Sequence, residues 1–186
     1  MKAGVETMKK TAVLLYPQFS EYELSVALSV LMQGGKTVVT VGVDSNPIKG
    51  ESGLNCMPDA TMDELDPDVI DSLLMTGCMD IFALENEQAY IDFIDKVKNH
   101  ADIIGSISSS PYLLAKAGLL KGKKYTIGMT KDGRKSAGCF EEENFSDDLV
   151  VSDGNIITAR GCGFIRFGAC FGEALGLDFD VDWYRE

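Results

Sequence analysis

The sequence predicts an α/β protein in which a mostly parallel sheet carries helices on both faces. Two observations predict it. Apolar runs of strand length alternate with segments of helical periodicity along the chain, as right-handed βαβ units require. The first of those runs, TAVLLY, is apolar almost throughout, which suits a parallel strand buried on both faces. No internal repeat, low-complexity stretch or linker breaks the alternation. The 186 residues, 45% of them apolar, suffice for one domain that buries about 70% of its chain surface.

Taken in order, TAVLLY (11–16) is the first strand. SEYELSVALSVLMQ (20–33) places Leu24, Ala27, Leu28 and Leu31 on one helical face and stops at Gly34-Gly35. KTVVTVGV (36–43) is the second strand, followed by the turn-rich DSNPIKGESG and a short segment around LNCM. DATMDEL is expected to form a helical turn ended by Asp66-Pro67, and VIDSLLMTG (69–77) is the third strand. Residues 85–100 put Tyr90, Phe93, Ile94 and Val97 on one side, the pattern of an amphipathic helix. ADIIGSI (101–107) is the fourth strand, SSPYLLAKAGLL (109–120) the helix after it, and KKYTIGM a fifth strand. Two short strands hinge on Asp153-Gly154, a two-residue hairpin signal, and GFIRFGACFGEALGL (163–177) is the closing helix. Residues 1–9 are expected to be a disordered polar leader, with Met8 a candidate internal start, and the domain to run over 10–186.

Charge and cysteine usage narrow the function classes. A net charge of −12 argues against nucleic acid or an anionic membrane as partner. No run has the roughly 18 apolar residues of a membrane span, and the start lacks a signal-peptide core, so a cytoplasmic protein is expected. Cys56, Cys78, Cys139, Cys162 and Cys170 form no CxxC pair, and there is one histidine, so neither a metal nor another cofactor is expected.

In such sheets ligands gather beyond the carboxyl ends of the strands, which brings together residues 16–23, 76–79 and 107–111. Ser108 lies where a strand turns sharply into a helix, the place of the attacking side chain in nucleophile-elbow enzymes. Its neighbours Ser106 and Ser110 are small, as a tight turn needs. A Ser-Ser-Ser-Pro stretch also suits plain helix capping. Glu23 is either the partner carboxyl of Ser108 or the fourth residue of a Ser20-x-x-Glu23 capping box. In TGCMD, Gly77 permits a tight turn and the Cys78 N–H is a candidate oxyanion donor. The Cys78 thiol is either a reactive group or a small buried hydrophobe. Arg160 and Cys162 stand in a glycine-rich turn, either an anion contact or an ordinary turn. His100 reads as a surface cap at a helix end.

The stretches TAVLLYPQFSEYEL, ATMDEL, LLMTGCMD, GSISSSPYLLAKAGLLKGKKYT and SDGNIITARGCGF resemble the ThiJ/PfpI superfamily from about residue 10 to 177. That superfamily is a branch of the class I glutamine-amidotransferase-like fold and includes deglycases, peptidase-like proteins and isonitrile hydratases. The resemblance implies a flavodoxin-like three-layer sandwich, a homodimer, and an enzyme or binding protein for small carbonyl or amide compounds. It sets Glu23 at the family's glutamate, Gly77 and Cys78 in its oxyanion loop, and Ser109 just after the nucleophile, where its N–H completes the oxyanion hole. This chain departs from the family at the nucleophile itself, where Ser108 stands for the usual cysteine. Gly128 stands near the family's histidine, and Arg160-Gly161-Cys162-Gly163 replaces its Arg-Gly-Pro-Gly. The exchange matters because a thiol ionises near about pH 8.5 unaided, whereas a serine hydroxyl attacks only with an adjacent base. The resemblance therefore implies a hydrolase, hydratase or deglycase-like activity that is weak or altered, or a non-catalytic metabolite-binding or regulatory homodimer.

Overall fold

The computed structural model describes residues 9–184, so the expected leader and Met8 lie, apart from Lys9, outside the described residues. The elements run β1 (Lys10–Leu14), α1 (Glu21–Gln33), β2 (Val38–Gly42), β3 (Ile48–Lys49), β4 (Asn55–Cys56) and β5 (Ala60–Thr61). They continue with β6 (Ile70–Met75), α2 (Glu87–Val97), β7 (Ile103–Ile107), α3 (Pro111–Lys116), α4 (Lys131–Ala137), β8 (Val150–Asp153), β9 (Ile156–Ala159) and α5 (Phe164–Ala174). Seven strands form one sheet in the order β5-β2-β1-β6-β7-β9-β8, parallel except for the β8–β9 hairpin, while β3 and β4 pair apart from it. The α/β sandwich expected from the sequence is therefore present.

The strands form because their side chains find cover on both faces. Leu14, Leu73, Leu74, Met75 and Ile107 are fully buried, with α1 packed on α5 and α2 packed on α3. At the α1–α5 crossing the helices nearly touch. A Cβ on Gly168 would stand 2.7 Å from the Ala27 backbone nitrogen and 2.9 Å from the Val26 carbonyl carbon. Backbone cannot move aside as a side chain can. Gly168→Ala should therefore destabilise the protein by about 1–2 kcal/mol, overpacking outweighing the helix-propensity gain of about 1 kcal/mol. Thermal unfolding checks this, and an unchanged or higher melting temperature would mean the helices part freely.

Three local expectations need correction. KKYTIGM is not a strand: only Tyr125 makes a bridge, to Phe145. The β8–β9 hairpin takes the sheet edge beside β7, so this stretch runs alongside β9 as a loop with Tyr125, Thr126 and Ile127 buried. It is held by Thr126 N–H to Thr158 Oγ1 (2.9 Å) and Gly128 N–H to the Ser108 carbonyl (2.8 Å). DATMDEL opens as β5 before its helical turn, because Ala60 and Thr61 pair with Val41 and Gly42. The hairpin loop is Gly154–Asn155, one residue later than expected, with Gly154 at φ 61°.

Chain order sets the site's place. From β1 the sheet grows outward through β2 to β5, then restarts on the other side at β6 and β7. The switch lies between β1 and β6, and the loops leaving both strands open at the same end.

Candidate active site

Ser108 sits at the tip of the turn between β7 and α3 with φ 65°, a left-handed conformation that non-glycine residues adopt at a strain of about 1–2 kcal/mol. The turn is locked from both sides. Ser108 N–H donates to the Ala159 carbonyl (2.8 Å), and the Ser108 carbonyl accepts from Gly128 N–H. Ser106 and Ser110 are fully buried and bond each other through their hydroxyls at 2.7 Å, while Ser110 Oγ also donates to the Ile107 carbonyl (2.8 Å). These buried serines brace the turn from beneath. Ser110 makes no side-chain cap to α3, so the Ser-rich stretch serves the turn rather than the helix.

Glu23, on the first turn of α1, is 2% exposed. Its Oε2 accepts from Gly77 N–H (2.8 Å) and Thr76 Oγ1 (3.0 Å), and its Oε1 from the Tyr22 hydroxyl (3.2 Å). The capping box is absent: Ser20 N–H donates to the Gly77 carbonyl, and Ser20 Oγ bonds Glu51 at 2.6 Å. Glu21, by contrast, faces the 50–54 turn and accepts from Ser52 and Leu54 N–H.

Gly77 and Gly161 are the walls that bring Glu23 and Ser108 together. A Cβ on Gly77 would lie 2.7 Å from Ser108 Oγ and 2.9 Å from Glu23 Oε2. One on Gly161 would lie 2.6 Å from Glu23 Oε1, 3.1 Å from the Tyr22 hydroxyl and 3.3 Å from Ser108 Oγ. Serine hydroxyl and carboxyl thus border the same small space from two sides, and among the described residues Ser108 Oγ has no hydrogen-bond partner.

The backbone donors differ from expectation at the loop after β6, where the Cys78 N–H, the expected oxyanion donor, is already engaged. Gly77 N–H points at Glu23 and is not free to meet a substrate. Cys78 N–H donates to Ser109 Oγ at 3.2 Å, and Ser109 N–H has no acceptor among the described residues. Ser109 therefore offers the open donor beside Ser108. The Cys78 thiol is half-buried, and burial pushes it up to about 11 against the lowering hydrogen bonds from Asp80 N–H and Ser109. At neutral pH it is a thiol, which weighs against a reactive role. Site-resolved alkylation by iodoacetamide at pH 7 should modify the exposed Cys162 before Cys78, with Cys78 gaining rate as pH climbs toward 11. Preferential labelling of Cys78 at pH 7 would contradict this.

The five residues singled out from the sequence, Ser108, Glu23, Gly77, Cys78 and Ser109, meet in one place. Three contributors were not singled out. Tyr22 and Thr76 are sequence neighbours of Glu23 and Gly77, and Gly161 belongs to the glycine-rich turn after β9. Gly128, near the place of the family's histidine, lies flat on the Ser108 backbone, where a Cβ would stand 3.3 Å from Ser108 Cα. His100 is remote and pairs with Asp68 at 3.1 Å. Among the described residues no group of three or more His, Cys, Asp or Glu could hold a metal ion, and no helix is long and apolar enough to cross a membrane.

Known proteins resemble this chain in sequence and fold. The model of the DJ-1/PfpI family matches residues 9–169. The DJ-1alpha protein of Drosophila melanogaster is 32% identical over 161 residues, 83% of this chain and 71% of its own length. A deglycase of Thermococcus kodakarensis is 32% identical over 157 residues, 83% of this chain and 91% of its own. Among solved structures, a DJ-1 superfamily protein of Agrobacterium tumefaciens superposes with a TM-score of 0.84 at 22% identity, covering 95% of both chains. A cysteine-to-alanine mutant of a DJ-1 superfamily protein of Salmonella typhimurium gives 0.76 at 28%, covering 95% of this chain and 96% of its own. Domain match, sequence relatives and fold converge: this chain belongs to the DJ-1/PfpI family.

Proposed function

We propose that this site is a nucleophile elbow adapted to serine, and that it adds water to small carbonyl or amide compounds in hydrolase, hydratase or deglycase-like chemistry. The observation that carries it is Ser108 held at φ 65° with its hydroxyl and Glu23 bordering one space. A turn strained for no purpose would relax, so maintained strain supports a working role.

In the amide case the substrate oxygen accepts from Ser109 N–H. A water held between Ser108 Oγ and Glu23 attacks the carbonyl carbon as Glu23 takes its proton. The tetrahedral oxyanion forms at Ser109 N–H, then collapses; the C–N bond breaks and the proton on Glu23 passes to the leaving nitrogen. Ser108 orients the water in this scheme, because no histidine stands by to activate it as the attacking group. Turnover is accordingly lower than a thiolate elbow would give. The deglycase name of the Thermococcus relative, at 32% identity, supports carbonyl chemistry of this kind.

The alternative is a non-catalytic homodimer that binds a small metabolite or serves regulation. It draws support from the un-ionised Cys78 thiol and from Gly128 near the place of the family's histidine. Either form is proposed as one domain over 10–186, and as cytoplasmic given five unpaired cysteines. Exposed Met32, Ile165 and Trp183 support a second copy as partner. The test is product formation across a panel of amides, glyoxals and isonitriles with wild type and Ser108→Ala. Turnover that falls at least about tenfold in the variant supports the enzyme. A raised melting temperature with no product supports the binding protein instead.

A further inference from the structure

A charged cavity is lined by chain neighbours of the site's residues. Ile127 and Met129 flank Gly128, which lies on the Ser108 backbone, and Arg160 directly precedes Gly161, which walls the Ser108–Glu23 space. The same Ile127, Met129 and Arg160 line a cavity of about 470 Å³. Three cationic residues, Lys131, Arg134 and Arg160, and two carboxylates, Glu142 and Asp147, complete most of its lining. A net positive cavity stands out on a chain whose net charge is −12.

Arg134 is already engaged. It is 5% exposed, grips both Glu142 oxygens at 2.8 and 3.1 Å, donates to the Met129 carbonyl at 2.9 Å and covers the Phe145 ring at 3.5 Å. Asp147 contributes its charge toward Arg134. The side chains of Lys131 and Arg160 make no hydrogen bond or ion pair among the described residues. The fixed Arg134–Glu142 pair is thus a wall, and Arg160 and Lys131 are the cations left for a ligand. The larger cavity, about 680 Å³ beside Gln18, has the opposite balance, with Asp44, Glu51 and Glu85 against Lys49. An anionic group is repelled there and attracted here.

We propose that the Arg160–Lys131 cavity is the anion subsite of this site. It holds a carboxylate or phosphate so that a carbonyl joined to it reaches Ser108 and Glu23, which makes small anionic carbonyl compounds the preferred ligands. The anion's place is argued from the cavity alone, whereas the position of the carbonyl rests on the elbow function proposed above. An arginine fork matches an oxoanion in two hydrogen bonds, and a lysine adds a point charge.

Two arms separate the claims. In the first, full-length ¹⁵N-labelled protein is titrated with oxamate and, separately, with inorganic phosphate, followed at the Arg160 side-chain N–H. A saturable shift is expected, the tighter probe telling carboxylate from phosphate. Arg160→Met should weaken binding at least about tenfold, with partial recovery in Arg160→Lys and an unchanged melting temperature. No saturable shift with either anion, or equal affinity in Arg160→Met, overturns the subsite. In the second arm, ammonia release from oxamate is compared with that from neutral glycolamide. Arg160→Met should raise KM for oxamate about tenfold and leave glycolamide within twofold. Equal losses on both overturn the subsite and mark Arg160 as structural. If wild type binds oxamate through Arg160 yet turns over neither amide, the subsite stands and the elbow function fails.

Discussion

Glu23→Gln is expected to lower turnover of a small amide or carbonyl substrate by about 100-fold or more while leaving the protein folded. Removing a positioned acid/base group typically loses about 10²–10⁴ in rate. Glutamine has nearly the same shape, and its oxygen still accepts from Gly77 N–H and Thr76 Oγ1 while its amide meets the Tyr22 hydroxyl. The stability change should stay within about 1.5 kcal/mol, the net worth of one such hydrogen bond. Steady-state kinetics beside thermal unfolding check both halves. An unchanged rate would remove Glu23 from the chemistry. A collapse of the melting temperature would instead mark it as a structural tie between α1 and the loop after β6.

Ser108 should respond to two substitutions with different effects on stability. Ser108→Ala removes the hydroxyl but keeps a Cβ at φ 65°, so the strain remains. Ser108→Gly removes hydroxyl and strain together, since glycine adopts positive φ freely. Relief of about 1–2 kcal/mol, less about 0.4–1 kcal/mol for a freer unfolded chain, leaves a gain near 0.5–1 kcal/mol. That corresponds to a melting temperature higher by about 2–3 °C for a domain of this size. Both variants should lose most turnover, because neither orients the attacking water. A glycine variant less stable than the alanine variant would show that the turn is not strained. Retained turnover in both would place the chemistry elsewhere.

Much of the fold was legible because burial is written in periodicity. α2 and α5 follow their apolar faces, and the central strands follow their apolar runs. α1 buries Leu24, Ala27 and Leu31 as expected but exposes Leu28, with Val26 and Val30 turned to the core because α5 covers that side. Residues 123–129 carry the same kind of run but not the same structure. Tyr125, Thr126 and Ile127 are buried by lying alongside β9 without joining the sheet, and an apolar stretch cannot report whether a sheet edge is vacant. The opposite failure is α4, Lys131–Ala137, which has no apolar face and a glycine inside it. Its support is tertiary and local: Thr130 Oγ1 accepts from Gly133 N–H at 3.1 Å, Gly138 closes it at φ 67°, and Arg134 is held by Glu142.

At the site, Ser108 was legible from the small residues around it and from the strand-to-helix switch. The partner of Glu23 was not, because a capping box and a catalytic carboxyl both place a glutamate three residues after a serine. Distance along the chain hides the answer, since Thr76 and Gly77 come from the loop leaving β6, 53 and 54 positions away. Gly161 is hidden for the same reason. A glycine-rich turn after β9 shows its purpose only once the sheet order brings β9 beside β7.

A crystal structure of the wild-type protein soaked with oxamate tests the central claim most directly. The account predicts the carbonyl carbon facing a water held between Ser108 Oγ and Glu23, with the carbonyl oxygen within hydrogen-bond reach of Ser109 N–H. Oxamate seated elsewhere, or Glu23 turned away from Gly77 toward Ser20 N–H, would contradict it.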